Sequence, residues 1–138
     1  MLNNFYNFFQ YSNIITKNIN NSNNLSFFIN LVTKSLEKIF NSIDENNYPF
    51  IKNIELNDNI LTIDLKGDKT YILNINKINK QLWLSSPFSG PKRFEYDKKT
   101  NQWLDINNKI NLFKILNNEF NNLLKQNNLI AYKKLNLI

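Results

Sequence analysis

The residues best suited to recognition chemistry lie in one stretch, QLWLSSPFSGPKR, Gln81 to Arg93. Arg93 is the only arginine among 17 Lys and Arg residues. A guanidinium offers a rigid planar fork that stacks on a ring or clamps a carboxylate, which an ammonium cannot do. The same stretch holds Trp83, one of two Trp, together with two of the three Pro and one of the two Gly. It contains no Asn, in a chain that has 30. What the chain lacks is equally informative. With no His and no Cys, it has no imidazole base, thiolate nucleophile or disulfide, and Ser-His-Asp and Cys-His catalysis are excluded. Any metal must be held by oxygen ligands, as a hard cation or as weakly bound iron.

At 138 residues the chain is one domain. The excess of Asn, Lys and Ile reads mostly as mutational bias, and it blurs turn signals, because Asn ordinarily marks turns and caps. The net charge is +6, but no acid precedes Glu37 and none follows Glu119. Between Leu25 and Asn128 there are 14 basic and 11 acidic residues. The centre is close to neutral, which argues against a nucleic-acid module with its one basic face. No apolar run approaches the ~20 residues that span a bilayer. Residues 1–24 contain no acid and one base, Lys17. They read either as an organelle-targeting presequence or as a disordered Asn-rich tail.

These residues need elements to position them. Leu25, Phe28, Ile29, Val32, Leu36, Ile39, Phe40 and Ile43 recur at spacings of three and four, which predicts an amphipathic helix ending near Glu45. The period then becomes two. Ile54 and Leu56, then Leu61, Ile63 and Leu65, then Tyr71, Leu73 and Ile75 alternate with polar residues. Leu82 and Leu84, Phe94 and Tyr96, and a last short run with Trp103 complete six strands of an antiparallel meander. A second helix begins after Asn111, a good N-cap, with Leu112, Phe113, Leu116, Phe120, Leu123 and Leu124 on its stripe. In the tail, Leu129, Ile130 and Tyr132 are the apolar residues expected to pack back. The domain thus covers residues 25–132, with 133–138 as a C-terminal tail.

Two helices cover one face of a sheet, so the other face meets water. Alternation places Asn74, Gln81, Trp83, Ser85, Arg93 and Glu95 there. An indole in water forgoes the burial of ~150–250 Å² that it would gain in a core or interface. A lone aromatic beside a lone arginine has the composition of a binding hot spot. The bland alternative is that Trp83 packs on long side chains of neighbouring strands. Pro87 and Pro91 stiffen the intervening loop, which lowers the entropy lost on docking.

The segment NKQLWLSSPFSGPKRF, Asn79 to Phe94, closely resembles the signature of the frataxin family. The likeness extends from about Leu25 to Tyr132 and includes Tyr71, Trp103 and the start of the second helix. It implies an α+β frataxin-like sandwich, helix–six-stranded antiparallel sheet–helix, with both helices on one face. It also implies a mitochondrial location, or one in a mitochondrion-related organelle, and a role in iron–sulfur cluster assembly. Family members bind a complex of cysteine desulfurase and scaffold protein and promote sulfur transfer to the scaffold. By resemblance the partner-binding residues are Asn74, Gln81, Trp83, Pro91 and Arg93.

One departure concerns iron. The resemblance implies carboxylates along the first helix and first strand, described as holding ferrous iron and as supporting a chaperone or ferroxidase activity. The corresponding positions here read Lys34, Lys38, Asn41, Ser42, Glu45, Ile51 and Lys52. Glu37, Asp44 and Glu45 remain as metal candidates. Interspersed lysines repel a cation, so the expected binding of Fe2+ is weak, and a solvated helix face accounts for the three carboxylates equally well. The expectation is therefore a non-catalytic regulator that docks on the desulfurase complex. The competing readings are an iron chaperone or ferroxidase, and a single-stranded nucleic-acid binder built on Trp83 and nearby lysines.

Overall fold

The computed structural model describes residues 2–137. Met1 and Ile138, the ends of the leading and trailing segments, lie outside them. The element order is α1 (Leu2–Asn46), β1 (Ile51–Asn57), β2 (Ile60–Leu65), β3 (Lys69–Asn76), β4 (Gln81–Ser86), β5 (Gly90–Asp97), β6 (Gln102–Asp105) and α2 (Leu112–Gln126). The six strands form one antiparallel meander in sequence order. This is the expected α+β sandwich.

The sheet's inner face supplies Leu61, Ile63, Leu65, Tyr71, Leu73, Leu82, Leu84, Phe94 and Trp103 to the core. Against them α1 buries Phe28, Val32, Leu36, Ile39 and Ile43, and α2 buries Leu112, Leu116, Phe120, Leu123 and Leu124. Both stripes follow the spacing read from the sequence. Phe120 is the aromatic hub, 5.4 Å from the Tyr71 ring, 5.9 Å from Phe50 and 6.0 Å from Tyr48. The Asn111 side chain caps α2 by accepting from the Phe113 N–H at 2.7 Å, satisfying one of the helix's free donors.

Two features differ from the sequence reading. The first helix starts at Leu2 rather than Leu25. Nothing in residues 2–24 stops it, since that segment has no Pro or Gly. Every described side chain before Leu25 is exposed, however, and burial begins at Leu25 and Phe28. The amphipathic stripe therefore marks where the core starts, while the helix itself begins well before it. The second difference is in the tail. Ile130 is 82% exposed and Tyr132 is exposed, whereas Leu135 and Leu137 are buried in the core.

The tail is threaded by α2. Asn121 Oδ1 accepts from the Leu135 N–H at 3.0 Å, and Asn117 Oδ1 accepts from the Leu137 N–H at 3.0 Å. Tyr48 donates its hydroxyl to the Lys133 carbonyl at 2.9 Å. Asn117 and Asn121 stand one helical turn apart, so they present two amides to one extended strand of chain. Several other asparagines do defined work: Asn47, Asn59, Asn101 and Asn128 all take positive φ, a conformation Asn tolerates better than most residues. The Asn excess is thus partly structural.

Candidate functional site: the water-facing sheet

The register builds the site. Asn74 on β3 pairs with Trp83 on β4, and Trp83 pairs with Arg93 on β5. Three of the five predicted partner-binding residues therefore stand in one row across successive strands. Directly opposed residues in antiparallel strands have Cβ atoms about 4.5–5.5 Å apart, so the row is set by the ladder and not by loop packing. The Arg93 guanidinium lies 6.0 Å from the Trp83 ring centroid, at the outer limit of a cation–π contact. Trp83 is partly buried and Arg93 is exposed. Both helices pack on the other face, so among the described residues no element roofs the indole.

Gln81 occupies a different place from the one alternation suggests. It sits on the water-facing side but is only 8% exposed. The Trp83 Nε1–H donates to Gln81 Oε1 at 3.0 Å, and Gln81 Nε2 donates to Glu95 Oε1 at 3.1 Å. Gln81 is spent on holding the indole and a carboxylate in register, which makes it a positioning residue. Pro91 is exposed and pairs with Ser85, one row from Trp83. Ile72, Asn74, Trp83, Pro91 and Arg93 border a shallow cleft of about 340 Å³. Ile72 is 41% exposed, which adds aliphatic surface beside the indole.

The loop after β4 has an anchor that the sequence reading missed. Ser86 is buried. Its Oγ accepts from the Phe88 and Ser89 N–H groups at 3.1 Å each and donates to Glu119 Oε2 on α2 at 2.7 Å. One hydroxyl thus closes the Pro87–Gly90 turn on itself and ties it to the opposite layer. The available signal was Glu119 itself, a carboxylate three residues after Leu116 and beside Phe120, at the edge of an otherwise apolar stripe. Next to it the Tyr71 hydroxyl is buried without a hydrogen-bond partner among the described residues. Burial, and secondarily the charge of Glu119, push its pKa well above the ordinary tyrosine value. Ser86 and Glu119 are polar neighbours of that hydroxyl, but neither meets hydrogen-bond geometry with it.

The metal candidates do not converge. Glu37, Asp44 and Glu45 are all exposed on α1, and no group of three or more Asp or Glu gathers among the described residues. Asp44 borders a hollow that it shares with Lys52. Iron requires several converging oxygen ligands, and these residues do not fit it. Among the described residues no helix is long and apolar enough to cross a membrane.

The fold is a two-layer α+β sandwich that leaves one face of its sheet open to water. The family profile described as a frataxin-like domain matches residues 21–126, and the chain belongs to the frataxin family, a family linked to iron metabolism. It is 44% identical over 72 residues to the mitochondrial frataxin of Dictyostelium discoideum, covering 52% of this chain and 37% of that protein. To mitochondrial frataxin of Arabidopsis thaliana it is 33% identical over 98 residues, covering 71% and 50%. The chain thus spans half or less of the length of these relatives. They are named as mitochondrial proteins, and the location of this chain is mitochondrial. A frataxin from Psychromonas ingrahamii superposes with a TM-score of 0.66 at 19% identity, covering 83% of this chain and 97% of that one, which supports the fold alone. Trimeric frataxin from Saccharomyces cerevisiae, in a structure complexed with ferrous iron, gives 0.62 at 28% identity, covering 69% and 86%.

Proposed function

We propose that this protein is a regulator of iron–sulfur cluster assembly that docks on a cysteine desulfurase–scaffold complex through the Asn74–Trp83–Arg93 row and promotes sulfur transfer to the scaffold. The observation that carries this reading is the indole and guanidinium held open, in register, on a rigid sheet. Trp83 offers apolar area, Arg93 a directional cation, and Gln81 fixes the indole so that little side-chain entropy is lost on binding. Pro91 presents a stiff strand edge to the same partner surface. No nucleophile or acid–base pair is required of the chain in this role, because the desulfurase performs the chemistry.

The alternative, a ferrous-iron chaperone or ferroxidase, draws support from the iron-complexed yeast relative. The dispersed carboxylates of α1 work against it here. The test is sulfide production by the desulfurase and scaffold of the same organism, with wild type beside Trp83→Ala. The expected result is stimulation by wild type and its loss in a variant that keeps the wild-type circular dichroism, since hot-spot truncation costs at least about 2 kcal/mol of binding, or about thirtyfold. Undiminished stimulation by the folded variant would refute the docking face. Stimulation that depends on added Fe2+ and survives Trp83→Ala would favour the alternative.

A further inference from the structure

A further surface feature lies on the helical side of the molecule, away from Trp83. A half-open groove of about 670 Å³ runs between α1, the β6 edge of the sheet and the start of α2. Apolar side chains dominate its walls: Leu31 from α1, Tyr96 and Trp103 from the last hairpin, Phe113 from α2 and Leu137 from the C-terminal tail. Trp103 is anchored as the floor, buried and donating its Nε1–H to Ser35 Oγ at 2.8 Å. Tyr96 meets it edge-on at 5.2 Å between ring centroids. Leu31, Tyr96 and Phe113 are each only partly buried, so apolar surface remains available to an occupant.

Three lysines rim this groove, Lys34, Lys38 and Lys114, and no Asp or Glu lines it. Lys38 Nζ lies 5.1 Å from the Phe113 ring centroid. None of the three forms an ion pair with any described residue. Lys34 and Lys38 are one turn apart on α1, where like charges oppose each other. An apolar trough with an unneutralised cationic rim selects against cationic and purely polar partners, and it rewards one that brings carboxylates and apolar side chains together.

We propose that this groove is a second docking site, and that its occupant is an acidic segment of a partner protein carrying apolar or aromatic residues at helical or extended spacing. The leading and trailing segments are poorly matched to this rim: no Asp or Glu precedes Glu37 or follows Glu119, and these segments carry Lys17, Lys133 and Lys134. The groove and the Trp83 row lie on opposite sides of the sheet, so both can be occupied at once. The inference does not depend on the identity of the partner at the Trp83 face.

The test uses Trp103 as reporter. The chain has two Trp, and Trp83→Phe leaves Trp103 as the only indole. The probe is a synthetic peptide that mixes Glu with Leu and Phe, titrated into the full chain while Trp103 emission is recorded. The expected result is a saturable change that weakens at least tenfold when Lys34, Lys38 and Lys114 are all changed to Gln, since each exposed pairing contributes modestly. A peptide with Lys in place of Glu should give no change. Polyglutamate binding as tightly as the mixed peptide would overturn the proposal, because the apolar walls would then be idle. So would tighter binding to vesicles of anionic lipid than to the peptide, and so would no saturable change up to about 1 mM peptide. If the triple variant is unfolded by circular dichroism, Phe113→Ser, which keeps all three lysines, replaces it, with the same tenfold loss expected and undiminished binding counting against the groove.

Discussion

Replacing Ser86 with alanine removes one hydroxyl that does three things, and the loss can be worked through bond by bond. The hydroxyl's bond to the Glu119 carboxylate at 2.7 Å is charge-assisted, a class worth about 1.5–3 kcal/mol. Glu119 is only partly buried, so water recovers some of this, and the lower half of the range applies. The two N–H groups that lose their acceptor belong to Phe88 and Ser89, both exposed. They rehydrate and add about 0.5 kcal/mol together. The expected destabilisation is about 2 kcal/mol, or roughly 5–10 °C in Tm for a chain of this size. Urea unfolding should show a lower midpoint at unchanged slope, because the buried area hardly alters. A cycle with Glu119→Ala should show most of the loss as coupling between the two residues. Ser89→Ala, at an exposed position in the same loop, should stay within about 0.5 kcal/mol. A loss below about 0.5 kcal/mol for Ser86→Ala would refute the anchor. The turn that leads into β5 and Pro91 would then owe its shape to Pro87 and the flanking ladder alone.

Other expectations follow from the same layer. Tyr71→Phe deletes a buried hydroxyl that has no partner among the described residues and should stabilise by about 1 kcal/mol in the same urea assay; a loss of stability would reveal a working bond to Glu119. Burial pushes the Tyr48 hydroxyl up to about 12 and raises that of Tyr71 as well. A raised folded-state pKa stabilises fully below the unfolded value of about 10 and loses that contribution as pH climbs through the folded value. Thermal stability should therefore fall between about pH 10 and 12, and the fall should be smaller in Tyr48→Phe; an equal fall would assign alkaline unfolding to other groups. Leu137→Ala should cost about 2–5 kcal/mol by thermal or urea unfolding, while Ile130→Ala should be neutral within about 0.5 kcal/mol. The reverse order would place the tail wrongly.

Much of this molecule is legible in local periodicity. The spacing of Val32, Leu36, Ile39 and Ile43 and the alternation of Leu61, Ile63 and Leu65 each define a buried face without reference to any other segment. Two one-sided helices and six short strands leave one sheet face uncovered, so the outward phase of Trp83 and Arg93 was readable before any coordinates. Local order could not say that Asn74, Trp83 and Arg93 form one row. That depends on strand register, a relation between segments set by the turns at Lys77–Lys80 and Pro87–Ser89. Nor could it tell that Gln81 is buried and bonded to the indole N–H, since its phase is the same as that of an exposed neighbour.

Sequence alone therefore determined the elements, the sidedness of the sheet, the absence of His and Cys chemistry and the family signature, because each is a property of residue type and near-neighbour spacing. Tertiary structure decided which long-range partners meet: Ser86 with Glu119, Leu137 with Asn117, and Lys34, Lys38 and Lys114 around a single groove. Those groupings join segments far apart in the chain, and only tertiary packing brings them together. The tail illustrates the division. Ile130 and Leu137 are equally apolar, and what buries one and exposes the other is the position of two asparagine amides on α2.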